Sequence, residues 1–225
     1  MITGWTLPNM NEIKDAAIIL HQRPYRETSI IIDCITKYHG RQSFICKGVK
    51  KQGRITLSNV QPFQTLQVIW TNKPSQDLHY IKSLEVITPI WLTGIRLKCG
   101  IYLNKLMYRF LNKNEHYSEL FSSFISVIQG IEQDQDLELH LRQFEQQLFS
   151  SIGYAIPFHQ IQNPSSVYDY DIQEGFQEHG EQHQFLGKEL LLIQALSLNN
   201  VSTRKVAKSL SRTIISQLYA LHRDI

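Results

Sequence analysis

The side chains best suited to bind a ligand in this 225-residue chain are the cations of a stretch that contains no acidic residue. No Asp or Glu occurs between Asp33 and Asp77, and six of the seven basic residues there lie between Lys37 and Arg54. The seven are Lys37, Arg41, Lys47, Lys50, Lys51, Arg54 and Lys73. Such a surface binds phosphates well, because each unneutralised cation that meets a phosphate releases a condensed counterion. A solvated face is the alternative interpretation, but natural surfaces normally intersperse both signs, so the pattern favours nucleic acid.

The distribution of charge along the chain points the same way. Residues 1–80 carry 10 basic and 5 acidic residues, whereas residues 81–160 carry 7 and 8, and residues 161–225 carry 6 and 7. The net charge of +3 is therefore a property of the N-terminal third, which indicates a polyanionic partner.

Glycine and aromatic residues near these cations suggest how a strand would be bound. Gly48 and Gly53 bracket a basic loop that can follow a phosphate backbone. Tyr38 lies among polar residues and is the best candidate for stacking on a base. Phe44 and Phe63 we expect in the hydrophobic core, where such residues more often lie.

A second basic set lies near the C-terminus, where no acid occurs between Glu189 and Asp224. Three of its residues follow an i, i+4, i+8 spacing and so share one helix face. The set consists of Arg204, Lys205, Lys208 and Arg212. A DNA contact and a solubilising outer face explain this set equally well.

Motifs for catalysis are missing from the sequence. It has no phosphate-binding loop of the GxxxxGK[ST] type, no GxSxG, no HExxH and no CxxC. His179 and His183 have helical spacing and His159 precedes them, but no third strong ligand accompanies them. We therefore expect a protein that is not an enzyme and holds neither a metal nor a cofactor.

Three cysteines without paired spacing are typical of a reducing compartment. They are Cys34, Cys46 and Cys99. No secretory signal and no apolar run of transmembrane length is present, so we expect a soluble, cytoplasmic protein without membrane contact or small-molecule substrate.

Hydrophobic periodicity divides the chain into two halves. Five short β-like runs are predicted in the first half, and a small closed barrel of the OB-fold type is the natural candidate. They are Ala16–Leu20, Ser29–Ile35, Ser43–Cys46, Leu66–Trp70 and Tyr80–Ile87. The predicted fold class is α+β, with an OB-fold domain over residues 1–87 and an α-helical domain over residues 88–225.

After Pro89 the period becomes helical. Apolar stripes predict helices over residues 95–110, 120–131 and 137–152, the last ended by Gly153. A hairpin around residues 167–185 and two more helices, over residues 186–198 and 201–222, complete the domain. Ser202 or Thr203 is the expected N-cap of the final helix.

Four short motifs occur in order along the first 155 residues. They are RPYRETS at Arg23–Ser29, the segment Gly40–Lys50 with its CKGVK end, QPF at Gln61–Phe63, and RQFE followed by IGY over Arg142–Tyr154. In this order and at these spacings they resemble the RecO family of bacterial recombination mediators, and Tyr168–Phe176 is similar to that family's late hairpin. Relatives often hold zinc with four cysteines after the glycine–tyrosine motif; residues 155–175 contain none, which resembles a metal-free branch.

The resemblance implies an OB-fold followed by helices, binding of single- and double-stranded DNA, and association with the nucleoid. It implies annealing of strands coated with single-strand-binding protein, and work with RecR to load RecA. Docking of the acidic, apolar-ended tail of single-strand-binding protein needs a cation beside an apolar pocket. Arg142, beside Leu141 and with Arg109 if the helices pair, is the candidate; bracing of the helix bundle is the alternative role for Arg142.

A transcription regulator is the competing hypothesis, because residues 201–221 superficially read as helix-turn-helix. The glycine expected at the turn is missing, so we predict one continuous helix instead. A nuclease would need a carboxylate cluster for metal, which the basic half does not offer.

Overall fold

A computed structural model describes residues 12–49, 55–71, 76–113, 115–133, 136–178 and 185–222. It divides the chain into two compact units, Met1–Gln133 and Asp134–Ile225. Among the described residues, no helix combines the length and the apolar character needed to cross a bilayer.

The first unit is built on a closed five-stranded barrel with the strand order β1-β2-β3-β5-β4. Its strands are β1 (Glu12–Tyr25), β2 (Ser29–Thr36), β3 (Gly40–Cys46), β4 (Thr65–Thr71) and β5 (Leu78–Thr88). β3 and β5 pair in parallel, whereas the other neighbours are antiparallel. The OB-like barrel and its five strands are confirmed, although β1 extends beyond its predicted ends.

The sequence of β2 explains why this strand is buried along its whole length. All eight residues are buried, and the run Ser-Ile-Ile-Ile-Asp-Cys-Ile-Thr does not alternate between apolar and polar. Such a run is typical of a strand that is covered on both faces. Ile30, Ile32 and Cys34 point into the barrel core, which also holds Phe44 and Trp70.

Two helices, α1 (Gly94–Phe110) and α2 (Ser118–Glu132), cover the outside of the barrel. α1 packs on β1 and on α2, while α2 packs on β2. The predicted stripe of α1 is buried at Cys99, Leu103, Leu106 and Phe110, but Ile95 is 62% exposed. The first unit thus contains these two helices as well as the barrel, and the domain division at residue 87 stays a prediction.

The second unit combines three helices with a small sheet. Its helices are α3 (Leu137–Ser151), α4 (Gly187–Gln194) and α5 (Val201–Leu221). Its strands are β6 (Val167–Asp171), β7 (Gly175–Glu178) and β8 (Phe185–Leu186), in the order β7-β6-β8. The helices and the β6–β7 hairpin lie where the sequence predicts them, and β8 is an additional strand.

The ends of two helices test the capping predictions. Gly153 follows α3 with φ +85°, the left-handed conformation expected of a glycine in that position. The predicted N-cap of α5 is wrong. The cap is Asn200, whose side chain accepts a hydrogen bond of 2.7 Å from the Thr203 N–H. Thr203 lies inside the first turn instead, where its hydroxyl is buried and donates to Glu189.

Gly40 holds the β2–β3 turn against the loop that follows α1. Its φ is +65°, and a Cβ at this position would lie 2.1 Å from the carbonyl oxygen of Glu115. Gly48 has a similar φ of +71°, but no heavy atom of the described chain lies within 4 Å of the corresponding point. The two glycines therefore share a backbone requirement and differ in the space around them.

Gly40→Ala is expected to destabilise the first unit by about 2–4 kcal/mol, because the left-handed backbone costs about 1–2 kcal/mol and the backbone clash adds to it. Gly48→Ala is the matched control and should cost only the backbone part. Denaturant titrations of the two variants measure the difference. Equal free energies of unfolding would show that the contact with Glu115 does not constrain the turn.

Candidate nucleic-acid interface

One end of the barrel presents a cation beside an exposed aromatic ring in the β2–β3 turn. The Nζ of Lys37 lies 5.0 Å from the centroid of the Tyr38 ring, and Tyr38 is 59% exposed. The backbone N–H of Tyr38 donates to Asp15, which anchors the turn at 2.9 Å. Tyr38 is therefore an ordered, accessible ring of the kind on which a base can stack.

The opposite end of β3 carries a second cation–aromatic pair. The Nζ of Lys47 lies 4.2 Å from the ring centroid of Tyr80, which is 45% exposed. The register of β2 and β3 brings the β1–β2 turn to this same end, and there the exposed Arg26 lies 5.2 Å from the ring of Tyr25. β3 has seven residues, so the two ends are separated by roughly 20 Å at the usual rise per residue.

Four cations of the acid-free stretch fall outside the described residues. They are Lys50, Lys51, Arg54 and Lys73. The sequence places the first three directly after Lys47 and buried Val49. Lys50, Lys51 and Arg54 stay predicted phosphate contacts.

Arg41 is engaged in holding the first unit together. Its Nη1 donates to the carbonyl oxygens of Tyr108 at 2.9 Å and Leu111 at 3.1 Å, and its guanidinium lies 4.4 Å from the Tyr108 ring. These carbonyls end α1, where the helix dipole favours a cation. This geometry favours a structural role for Arg41 over the predicted phosphate contact.

Two buried acids beside the basic stretch have local partners. Asp33 accepts hydrogen bonds from Arg23 at 2.7 Å and from Ser43 at 2.5 Å. Asp15 lies 2.8 Å from the Nδ1 of His39 and accepts from the Tyr38 N–H. The charge of Asp33 is thus balanced by Arg23, a cation that lies outside the acid-free stretch.

On α5 three of the four predicted cations are exposed. They are Lys205, Lys208 and Arg212. Arg204 instead forms an ion pair with Asp136, the N-cap of α3, and its Nε donates to the Leu198 carbonyl at 2.7 Å. Burial raises the pKa of Asp136, but hydrogen bonds from Arg204 and from the Leu139 N–H outweigh it, so the pKa lies below its ordinary value. Arg204 thus ties α5 to α3.

The predicted partner-binding residues lie on two helices. Arg109 is exposed on α1, and Leu141 is half-buried on α3. Arg142 is only 5% exposed; its Nη2 lies 3.0 Å from Glu145, which is fully buried, and its Nε lies 3.5 Å from Glu138. Two carboxylates of the same helix thus hold the guanidinium, which favours the bracing role.

Sequence reasoning missed a cation row on α1. Lys98, Lys105 and Arg109 are all exposed, and their spacing of seven and four residues places them on one face of the helix. No acid occurs between Glu85 and Glu115. The net charge of residues 81–160 conceals this third acid-free stretch, because these residues also include the acids from Glu115 onwards.

Three histidines were considered as metal ligands in the sequence, and two of them, His179 and His183, lie outside the described part of the chain. His159 is exposed. Within the described ranges, no group of three or more His, Cys, Asp or Glu side chains is arranged to hold a metal ion. Cys34 and Cys46 are buried, and burial raises the pKa of both thiols, that of Cys46 to about 12.

Comparison with known proteins covers nearly the whole chain. Residues 10–90 match the family model described as Recombination protein O N terminal, and residues 92–220 match Recombination protein O C terminal. A protein named DNA repair protein RecO from Aliivibrio salmonicida is 30% identical over 90% of this chain and 89% of its own. Proteins of the same name from Cellvibrio japonicus and Coxiella burnetii are 33% and 30% identical, over 90% and 91% of this chain and 89% and 92% of theirs.

Proposed function

Because the chain belongs to the RecO family of DNA repair proteins, we propose that it is a recombination mediator that binds single- and double-stranded DNA and anneals complementary strands. It acts by binding and carries out no covalent chemistry. The observation that carries the proposal is the basic, acid-free run on an OB-like barrel, with an accessible cation–aromatic pair at each end of β3.

Annealing requires two polyanions to approach each other, so the protein has to screen phosphate repulsion without covering the base edges. Cations spread over the barrel surface supply this screening, because each phosphate contact releases a counterion whatever the base sequence. Tyr38 and Tyr80 offer rings for stacking, which tolerates any base. We assign phosphate contacts to Lys37, Lys47, Lys50, Lys51 and Arg54.

The exposed cations of α5 extend the proposal to the second unit. Lys205, Lys208 and Arg212 lie on a continuous helix from Val201 to Leu221. A transcription regulator would need a turn between two helices in this segment, and α5 contains none. We therefore assign these side chains to sequence-tolerant backbone contacts.

The protein partners in this proposal are RecR, the acidic tail of single-strand-binding protein and, indirectly, RecA. Arg109 of the first unit, and Leu141 with Arg142 of the second, are proposed, each within its own unit, as residues that contact this tail. Arg109 is exposed, which supports a role in tail docking. Arg142 is buried and paired with Glu145, which favours a role in bracing α3 instead.

The decisive experiment is annealing of complementary oligonucleotides that have been precoated with single-strand-binding protein. We expect the protein to accelerate annealing at least about tenfold, and rising salt to suppress this effect as it weakens the phosphate contacts. Coating with tail-truncated single-strand-binding protein is the control and should reduce the acceleration. No acceleration on either coated or bare strands would refute the proposal.

A further inference from the structure

A buried carboxylate of β1 anchors the turn between β2 and β3. The Asp15 side chain is fully buried, and one of its oxygens lies 2.9 Å from the backbone nitrogen of Tyr38 and 2.8 Å from the Nδ1 of His39. An ionised carboxylate only accepts hydrogen bonds, so both nitrogens donate to it. The other oxygen accepts from the Ala16 N–H at 2.7 Å. Hydrogen bonds to a charged acceptor are the strong ones, so the turn is held firmly to β1.

The neighbouring polar groups of the turn are satisfied as well. The Lys37 N–H donates to the Ala16 carbonyl at 2.9 Å, and the His39 N–H donates to the Thr36 hydroxyl at 3.1 Å. The imidazole of His39 packs edge-on against Trp70, with 5.4 Å between the ring centroids. The N–H groups at the tip of the turn therefore all have partners, which fixes the course of its backbone.

The anchored turn presents the ring of Tyr38 to solvent beside the Lys37 ammonium. A ring on a mobile loop has to be ordered when it binds a ligand, and the lost freedom opposes binding. A ring whose backbone is already held avoids most of that loss. The contacts of Asp15 thus favour binding at a site that Asp15 itself does not reach.

The chemistry of this surface selects unpaired bases. An aromatic side chain stacks on the face of a base, and in a duplex the neighbouring base pairs cover those faces. The cations of the barrel instead contact phosphates, which single and double strands both present. The turn therefore adds to the affinity for single strands alone, whereas Lys47 and the basic loop add to both.

We propose that Asp15 is a positioning residue for DNA binding, which holds the Tyr38 ring as a platform for an unpaired base through the Tyr38 N–H and the His39 side chain. This platform makes the barrel prefer single-stranded DNA to duplex DNA. The inference rests on the proposed function and deepens it, because it assigns the selection of unpaired bases to one turn of the barrel.

The test compares the affinity of the full chain for an oligothymidine of about ten nucleotides with its affinity for an abasic strand of equal length and charge. The ratio of the two affinities isolates stacking, because both strands offer the same phosphates. Tyr38→Ala should lower this ratio at least about fivefold, the low end for one base–aromatic stack. Asp15→Asn and His39→Ala should each lower it at least about threefold, and His39→Asn, which keeps a donor, should recover most of the loss.

Asp33→Asn is the matched control, because it removes another buried carboxylate of the same barrel, one that accepts from Arg23 and Ser43 and not from the turn. Its ratio should stay within about twofold of that of the unaltered protein. Asp15→Asn combined with Tyr38→Ala should lower the ratio no further than Tyr38→Ala alone, because Asp15 acts through that ring. A purely structural role of Asp15 would weaken binding of both strands together and leave the ratio unchanged.

An unchanged ratio in folded Asp15→Asn would overturn the proposal, as would additive losses in the double variant. If Asp15→Asn does not fold, the half-buried His39→Ala decides in its place. A ratio near one for the unaltered protein would also overturn the inference but would leave the proposed function standing, because phosphate contacts alone could support annealing. Binding of neither strand would refute the proposed function and this inference with it.

Discussion

Replacing Lys47, Lys50, Lys51 and Arg54 with alanine is expected to weaken binding of single-stranded DNA by about 10²–10³-fold at 0.1 M salt. Each cation–phosphate contact contributes about 0.7 to the logarithmic salt dependence, so four contacts supply a factor of that order relative to 1 M salt. Lys47 lies on the exposed rim of the barrel, and the other three follow it in the chain. The loss should not depend on base sequence.

Fluorescence anisotropy at several salt concentrations measures this effect. The log–log slope should be roughly −3 to −5 for the unaltered protein and should lose about 3 in the four-alanine variant. A control with the same charge change replaces Lys14, Lys98, Lys113 and Lys188, which are exposed elsewhere. Equal slopes for the unaltered protein and the four-alanine variant would show that the basic stretch does not contact phosphates.

Arg142→Ala is expected to destabilise the second unit by about 3 kcal/mol. Glu145 is fully buried, and removing the guanidinium 3.0 Å away leaves its carboxylate without that cation. For a unit of this size the loss corresponds to a fall of roughly 10–20 °C in the unfolding midpoint. Thermal unfolding followed by circular dichroism measures it.

The matched control is the double variant Arg142→Met and Glu145→Met, which removes both charges and should recover most of the stability. Binding of the tail peptide by Arg142→Ala, measured well below its unfolding midpoint, separates docking from bracing. Weakened binding by a folded variant assigns Arg142 to the docking site, and undiminished binding removes it from that site. A stability loss no larger than that of the exposed Gln143→Ala would contradict the bracing role.

The OB-like barrel and the helices were predictable because their signals are local. The unbroken apolar run of β2, the alternation in β4 and the three- and four-residue stripes of the helices each lie within one element. Gly153 ends α3 for a similarly local reason, since a left-handed residue is needed directly after the last turn. The N-cap of α5 was misplaced because Asn200, Ser202 and Thr203 are all good caps, and packing against α4 decided which one lies outside the helix.

The candidate interface was predictable only as a set of cations. Sequence spacing marks Arg41 and Arg204 as equal to their neighbours, although each is engaged by distant groups of the fold. Arg142 differs, because its partners Glu138 and Glu145 lie four and three residues away on the same helix, a spacing that the sequence shows. Arg41 meets carbonyls 67 and 70 residues away, and Arg204 meets an acid 68 residues away. Contacts between residues so far apart in the chain do not show in the spacing of residue types. The spacing therefore cannot distinguish an arginine that stabilises the fold from one that is accessible to DNA.

By itself, the sequence determined the family, the secondary structure and the acid-free run between Asp33 and Asp77, because motif order, periodicity and composition are properties of the chain alone. Only the tertiary structure decided which of those cations face solvent beside aromatic rings and which cap a helix. It also brought Leu20, Pro62 and Ile101 together in one cleft beside Lys105. These residues come from three separate elements, and their proximity exists only once α1 has packed on β1.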